Sequence, residues 1–437
     1  MTAAGGASSL ATLAKAVATS QPENAGHAAL EALKAKTPPL EVLRSAAVTA
    51  ATHYDGRSGV APRGLALLAS AAHHSRPIPV LQAVTYVASE PRSAVPSRPP
   101  PVVAGEITHL GRSFLFGVRA GDLAEAEPIF LGMVHEGSER KMAGDMLFRA
   151  ALEDMGEGGR KVFIAVRSWQ LAKVLGFKDA RTVLRPAVQY LVKGPSDRSA
   201  YETIMKVLGK EWVDLESLGS GGRPLDAAGH GKVAALAAAE SAEACVASTL
   251  ALLREGYAAA SVAEGLVTEA ARRVLTPRGF DLETARGLLF AHAARFVLTF
   301  SRTNERLYAL FQAALRVRSA AMDLALPTVP EPPGAGEALR HLEAALDARK
   351  PMEAAALVRA YLARGWPTER LLEILADYAC RDACAANQGI NLLLADACAV
   401  EFRTSKAPEV LMALAKTIAA SPKDTRLYEA WSAALGP

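Results

Sequence analysis

Residues 117–154 read GVRAGDLAEAEPIFLGMVHEGSERKMAGDMLFRAALED, and residues 345–382 read ALDARKPMEAAALVRAYLARGWPTERLLEILADYACRD. The two stretches align without a gap, and the alignment pairs Gly137 with Gly365 and Asp154 with Asp382. Self-similarity between distant parts of a chain is the sequence signature of repeat architectures. We therefore predict that the chain is built from repeated structural units.

Two further blocks fit the same frame. In ALLREGYAAASVAEGLVTEAARRV, Gly256 takes the place of the turn glycine, and ERLYALFQAAL (305–315) takes the place of TVLRPAVQYL (182–191). The segments EVLRSAAVTAATHYD (41–55) and PVLQAVTYVA (79–88) indicate a fourth and most degenerate copy. Each block predicts two helices separated by a glycine turn, then a break and two more helices.

The composition favours helices. Alanine and leucine dominate, aromatic residues make up only 6% of the chain, and alternation typical of strands is almost absent. Alanine and leucine lose little conformational entropy in a helix, and glycine readily adopts the left-handed conformation that ends one. We predict an all-α fold of four degenerate repeats of about four helices each, stacked as an α-superhelix or as a compact α-α bundle.

Clusters of proline and glycine divide the chain, because these residues interrupt helical periodicity. The first residues are rich in alanine, glycine and serine, which is typical of flexible segments. The predicted organisation is a flexible N-terminus (1–25), four helical repeats (26–90, 106–218, 230–325 and 337–437) and three linkers (91–105, 219–229 and 326–336).

The charge is nearly balanced, with 49 Lys and Arg residues against 45 Asp and Glu residues. Nucleic-acid binding normally requires a concentrated basic face, and the densest basic stretch, 91–101, reads as a linker. No apolar run of about 18 residues indicates a membrane span, and the N-terminus lacks the pattern of a signal peptide. We therefore expect a cytoplasmic protein that binds another protein rather than nucleic acid.

The stretch CRDACAANQGINLLLADAC (380–398) holds three of the four cysteines. A structural zinc site needs four ligands, but here two cysteines four residues apart are followed by one distant cysteine and no histidine. Buried free cysteine is a common small hydrophobic residue, so we expect core positions, with a thiol or metal role as the alternative. Between the cysteines, Asn387, Gln388 and Asn391 indicate either a capped helix start or the polar lining of a cavity.

Histidines offer the other candidate site. His53 lies two residues before Asp55, and such a carboxylate can orient a metal-bound imidazole. Glu106 and His109 form one Glu-x-x-His motif, whereas a ferritin-type di-iron centre needs two. The glycine-rich stretch 219–232 lacks the spacing of a nucleotide-binding loop. The predicted ligands of a histidine-bound transition metal are His53, Asp55, His109, His230 and His292.

The segment LFGVRAGDLAEAEPIFLGMVHEGSERKMAGDMLFRAALED (115–154), followed by VFIAVRSWQLAKVLG and TVLRPAVQYL, resembles the questin-oxidase-like proteins and the related helical region attached to Rieske ferredoxin domains. The resemblance implies an oxidoreductase with histidines gathered in a central cavity. Such proteins tend to carry a Gly-His pair where this chain has Arg160, and a Gly-His pair occurs at His230 instead. The chain contains no Cys-x-His and Cys-x-x-His pairs, so no Rieske cluster is expected.

Two functions follow from these observations. The first function is that of an interaction or scaffold module, because helical repeats present extended surfaces and need no catalytic residues. A degenerate enzyme could also serve as such a module. The alternative is a questin-oxidase-like oxidoreductase whose histidines line a central cavity that binds a metal.

Overall fold

The computed structural model describes residues 3–74, 76–135, 140–219, 221–277, 279–318 and 326–436. Every regular element in these ranges is a helix, and extended backbone pairs only at two isolated bridges, Arg223 with Tyr257 and Asp382 with Lys423. The prediction of an all-α fold is confirmed. Among these helices none is long and apolar enough to cross a membrane.

The chain forms two compact units. Unit 1 consists of Met1–Asp197 together with Arg426–Pro437. Proline at the first helical position starts several of its helices, because its missing N–H has no partner there in any case. Its helices are α1 (Ala3–Ala18), α2 (Pro22–Lys34), α3 (Pro39–Thr52), α4 (Arg63–Ala71), α5 (Pro77–Ser89), α6 (Ile107–Ala120), α7 (Leu123–His135), α8 (Arg140–Leu152), α9 (Gly156–Val174), α10 (Ala180–Val183), α11 (Arg185–Lys193) and α24 (Arg426–Leu435).

Unit 2 spans Arg198–Thr425. Aspartate or serine caps several of its helices, since their side-chain oxygens accept from otherwise unbonded N–H groups. Its helices are α12 (Ser199–Lys210), α13 (Leu215–Gly219), α14 (Ala227–Ala237), α15 (Ala242–Arg254), α16 (Ala259–Leu275), α17 (Leu282–Phe300), α18 (Leu307–Val317), α19 (Ala335–Asp347), α20 (Pro351–Ala363), α21 (Glu369–Ala379), α22 (Ile390–Ser405) and α23 (Pro408–Ala420).

The cores of the two units use similar helix pairs. In unit 1, α2 packs on α5, α7 on α11, and α4 on α9. In unit 2, α15 packs on α18, α20 on α23, and α17 on α22. Alanine, leucine and valine occupy the buried faces, because small side chains let helices approach closely while leucine fills the remaining volume. The stacking of four repeats into a superhelix stays a prediction.

The glycine turns that anchor the alignment have the expected geometry. Gly256 follows α15 and Gly365 follows α20, and both are left-handed, with φ of 86° and 67°. Glycine adopts this conformation without the steric cost of a Cβ atom, so the predicted helix ends are confirmed at these two positions. The third aligned glycine, Gly137, lies outside the described residues.

The N-terminal segment differs from the prediction. Residues 1–25 were expected to be flexible, but α1 occupies Ala3–Ala18 and packs on α2 and α3. Leu13 and Val17 are fully buried. They lie four residues apart and so form one apolar stripe. The prediction of a flexible segment rested on the overall content of alanine, glycine and serine, which does not register the spacing of these two residues.

The described residues of the predicted linkers are mostly irregular, with helix residues at the ends of the second and third, and the linkers do not separate the two units. The Pro-rich segment, residues 91–105, lies within unit 1, and residues 219–229 and 326–336 lie within unit 2. The boundary between the units falls instead after Asp197. Within unit 1, the Val103 N–H donates to the Pro128 carbonyl of α7 at 3.2 Å. Proline and glycine therefore mark loops here rather than domain boundaries.

Candidate functional site

A buried ion pair joins α7 and α11 of unit 1. Arg185, Gln189 and Lys193 are spaced by four residues and so lie on one face of α11. The Arg185 Nε donates to Glu127 on α7, and the Gln189 Nε2 donates to both oxygens of the same carboxylate at 3.2 Å. Arg185 is 3% exposed and Glu127 is 6% exposed. Burial of two charges is tolerated because each is paired and hydrogen-bonded.

The same arginine fixes the Pro-rich segment. The Arg185 Nη1 donates to the Ser97 carbonyl at 2.8 Å, and its Nη2 donates to the Ser97 hydroxyl at 3.0 Å. The Ser97 N–H in turn donates to the Thr52 carbonyl at the end of α3, at 2.8 Å. The neighbouring Arg98 lines the same pocket as residues of α7 and α11, and it lies in a stretch whose prolines restrict the backbone.

This arrangement borders an open basic pocket of about 720 Å³. Its volume lies within the range of about 300–1,000 Å³ that is typical of ligand sites. Four cationic side chains and one carboxylate line it, together with short apolar side chains. The lining residues are Arg57, Arg98, Pro100, Leu123, Ala124, Glu127, Pro128, Arg185 and Lys193.

Two of the cations lack an internal counter-charge. Arg57 and Arg98 are exposed, and within the described ranges no carboxylate pairs with either guanidinium. Arg185, by contrast, is neutralised by Glu127, and the Lys193 ammonium donates to the Gly121 carbonyl at 2.8 Å. A guanidinium presents its donors in a planar fork that matches carboxylate and phosphate groups. The pocket can therefore bind an anionic group against an apolar wall.

None of the predicted metal ligands lines this pocket, although Asp55 is bonded to the backbone of the lining residue Arg57. His53 is half-buried, and its Nδ1 lies 2.9 Å from the Ser93 carbonyl oxygen. The Asp55 carboxylate accepts from the Arg57 N–H, and the Glu106 carboxylate caps α6 by accepting from the His109 N–H. His109 and His230 are exposed. In the part of the chain that the structure describes, no group of three His, Cys, Asp or Glu side chains could hold a metal ion.

His292 is the one predicted ligand with a buried carboxylate partner. It lies on α17, and its Nδ1 is 2.6 Å from Glu401 of α22. Arg295 contributes a second contact, at 2.7 Å from the other oxygen of Glu401. Burial opposes ionisation of this carboxyl, but its interactions with His292 and Arg295 outweigh the burial, so the pKa of Glu401 is lowered. The cluster joins two core helices of unit 2.

The three polar residues predicted as a helix start or a cavity lining have separate roles. The Asn387 side chain donates to Asp382 and accepts from the Gly389 N–H at 3.1 Å, at the start of α22. Gln388 accepts from the Arg286 guanidinium at 2.7 Å. Asn391 is fully buried and accepts from the Ser421 hydroxyl at 2.9 Å. Asn387 thus holds the turn at Gly389, the N-cap residue of α22, and no side chain caps that helix.

The cysteines occupy core or partly buried positions. Cys245, Cys380 and Cys398 are buried, Cys384 is half-buried, and all four are free thiols. Burial raises the pKa of Cys245 to about 11 and also raises the pKa values of Cys380 and Cys398. A thiol with a raised pKa stays protonated and is a poor nucleophile and metal ligand at neutral pH. These positions agree with the interpretation of the cysteines as core residues.

A buried amine lies beside this helix start. Lys423 follows α23 and pairs with Asp382 at the isolated bridge. Its ammonium is buried and has no hydrogen-bond partner within the described residues. Burial lowers the pKa of Lys423 to about 8, although Asp382 acts in the opposite direction. The charged form of this side chain therefore destabilises unit 2 at neutral pH.

Replacing Lys423 by methionine should raise the free energy of unfolding at neutral pH by about 1–2 kcal/mol, because no charge then loses its hydration. Folding lowers the pKa of Lys423 from 10.5 to about 8, so the charged amine destabilises the folded protein fully below about pH 8. The destabilisation decreases as the pH rises from the folded pKa toward the unfolded pKa of 10.5. The advantage of K423M in urea unfolding should therefore shrink between these two pH values. K206M, at an exposed lysine, is the control. A constant advantage across that pH range would contradict the assignment.

Sequence reasoning missed the basic pocket. Arg185 and Gln189 sit inside the apolar run TVLRPAVQYL, and Glu127 sits inside α7 among alanines. A charged residue within a run of core positions indicates a buried ion pair, because charged side chains are almost never fully buried without a partner. This was the signal that the sequence offered. The partner itself could not be identified from the sequence.

No protein-family model, curated protein or solved structure matches this chain significantly. The resemblance to questin-oxidase-like proteins therefore stays a prediction.

Proposed function

We propose that this chain is an interaction module that binds an acidic segment of a partner protein in the basic pocket of unit 1. The observation that carries the proposal is the pair of exposed guanidiniums, Arg57 and Arg98, which meet at the pocket without a carboxylate partner in the described ranges. Exposed cations of this kind attract anions from solution and form charge-assisted hydrogen bonds when the anion is in place.

The residues that position the pocket are already ordered in the absence of a ligand. Arg185 and Glu127 are buried and paired, and Arg185 fixes the Pro-rich segment through Ser97. A site that is already ordered loses less conformational entropy when its ligand binds, so more of the interaction energy contributes to affinity. Hydrogen bonds to charged groups contribute about 1.5–3 kcal/mol each when they are well formed.

Oxidoreductase activity, the alternative that the resemblance implies, stays a prediction. The interaction proposal requires only that the partner supplies carboxylates near an apolar side chain. Leu123 and Pro128 provide the apolar side of the pocket for such a residue.

The test is the affinity of a fluorescently labelled hexaglutamate peptide for the full chain, measured by fluorescence anisotropy. Replacing Arg57 and Arg98 together by glutamine should weaken binding at least about tenfold, because two charge-assisted contacts are lost. The affinity of the wild type should also fall as salt is raised, since exposed charges are screened.

Arg112 provides the matched control, because it is an exposed arginine on α6 outside the pocket. R112Q removes one positive charge and should leave the affinity within about twofold of the wild type. Weakening by R112Q equal to that by R57Q or by R98Q alone would show non-specific attraction and would refute the proposal. A hexaglutamine peptide should not bind.

A further inference from the structure

The charge in the basic pocket exceeds what one carboxylate neutralises. Arg57, Arg98, Arg185 and Lys193 face Glu127 alone, and Glu127 already accepts from Arg185 and Gln189. A monoanion leaves most of this positive charge uncompensated. A phosphate monoester carries about −1.5 to −2 at neutral pH and compensates it more fully.

The number of free hydrogen-bond donors in the pocket also favours a phosphate over a carboxylate. Each guanidinium carries five N–H donors, and in the described part of the chain those of Arg57 and Arg98 have no carboxylate acceptor. The Lys193 ammonium has three donors, of which Gly121 takes one. Two planar forks and an ammonium around one cavity match the three terminal oxygens of a phosphate better than the two of a carboxylate.

The apolar side of the pocket selects an ester over the inorganic ion. Pro100, Leu123, Ala124 and Pro128 line the cavity beside the cations. These side chains can bury the carbon stem to which a phosphate is attached, whereas inorganic phosphate has no stem to bury. The cavity of about 720 Å³ has room for both parts.

From the charge, the donors and the apolar wall, we propose that the basic pocket recognises a phosphate monoester, with Arg57 and Arg98 as the residues that bind its oxygens. This inference rests on the proposed function and specifies the anion that the pocket prefers. Arg185 acts as a positioning residue, because its three nitrogens already donate to Glu127 and Ser97.

The experiment compares three labelled peptides that differ only at the central residue of acetyl-Gly-Gly-Xaa-Gly-Gly-amide, with phosphoserine, aspartate or serine there. Phosphoserine should bind at least about tenfold more tightly than aspartate, and this preference should disappear in R57Q/R98Q but not in R112Q. Because the second pKa of the phosphate is about 6, its affinity should rise between about pH 5 and pH 7.

Phenyl phosphate, as an unlabelled competitor, distinguishes the two sources of such an ester. Displacement at concentrations similar to those of the phosphoserine peptide would indicate a free organic phosphate, and at least tenfold weaker displacement would indicate a phosphorylated protein. Either result supports a phosphate monoester. Equal affinities of the aspartate and phosphoserine peptides would overturn this inference and leave the proposed function in place. If no anionic peptide bound in a way that depended on Arg57 and Arg98, both would fail.

Discussion

Replacing Glu127 by alanine should lower the free energy of unfolding of unit 1 by about 3–5 kcal/mol, because the change leaves the buried Arg185 without its counter-charge. Arg185 is only 3% exposed, so its charge is largely removed from water in the folded protein. Gln189 loses its acceptor at the same time. The measurement is urea unfolding, with hydrogen exchange of α7 and α11 to localise the loss.

Two companion variants make this prediction specific. E127A/R185M should be less destabilised than the sum of its two single changes, because the double variant contains no unpaired buried charge. E31A removes a glutamate whose side chain is 46% exposed and paired with Lys34, and it should cost less than about 1 kcal/mol. If E127A stayed within about 1 kcal/mol of the wild type, the ion pair could not be buried as described.

Replacing Gly132 by alanine should cost about 3 kcal/mol, near the upper end of the usual range for overpacking a core. A Cβ atom at Gly132 of α7 would overlap the carbonyl oxygen of Val103 in the Pro-rich segment. Alanine normally stabilises a helix interior relative to glycine by about 1 kcal/mol, so the sign of the effect is informative. Thermal and urea unfolding of the variant provide the measurement.

Gly287 of α17 is the matched control, because a Cβ atom there would meet nothing within 4 Å. G287A should therefore leave stability unchanged or raise it by up to about 1 kcal/mol. Displacement of the Pro-rich segment in G132A should also weaken binding of the anionic peptides, since Arg98 belongs to that segment. A G132A protein as stable as G287A would show that the segment does not pack on α7.

E127A and G132A both test how the Pro-rich segment is held in unit 1. The Pro-rich segment reads as a linker in the sequence, but in the structure it is packed on α7 and bonded to α11 through Ser97. Its prolines limit the conformations available to the unfolded chain, so holding the segment in place costs less entropy. This explains how an irregular segment can present Arg98 at a defined position.

Much of the fold was predictable from local signals. Alanine and leucine at helical spacing indicated an all-α chain, and Gly256 and Gly365 marked helix ends that have left-handed backbone. Gly389, within the stretch that indicated a helix start, has left-handed backbone at the N-cap of α22. The helix α1 escaped prediction because its apolar stripe is short and surrounded by small residues.

The candidate site was not predictable in the same way. Its charged residues come from the loop after α3, the Pro-rich segment, α7 and α11, which are far apart in the sequence. The histidines drew attention because histidine is a common metal ligand, but the structure describes no three-ligand group. Residue type indicates what a side chain can do, whereas a site depends on which side chains meet.

The sequence by itself determined the helical class and the glycine turns, because helix propensity and backbone conformation depend on residues within a few positions of one another. Only the tertiary structure decided that Glu127 neutralises Arg185, that Ser97 ties the Pro-rich segment to α11, and that Arg57 and Arg98 keep their charges uncompensated at a pocket. The physical reason is that charge balance is set by distances in space, and packing brings together residues that the chain keeps apart.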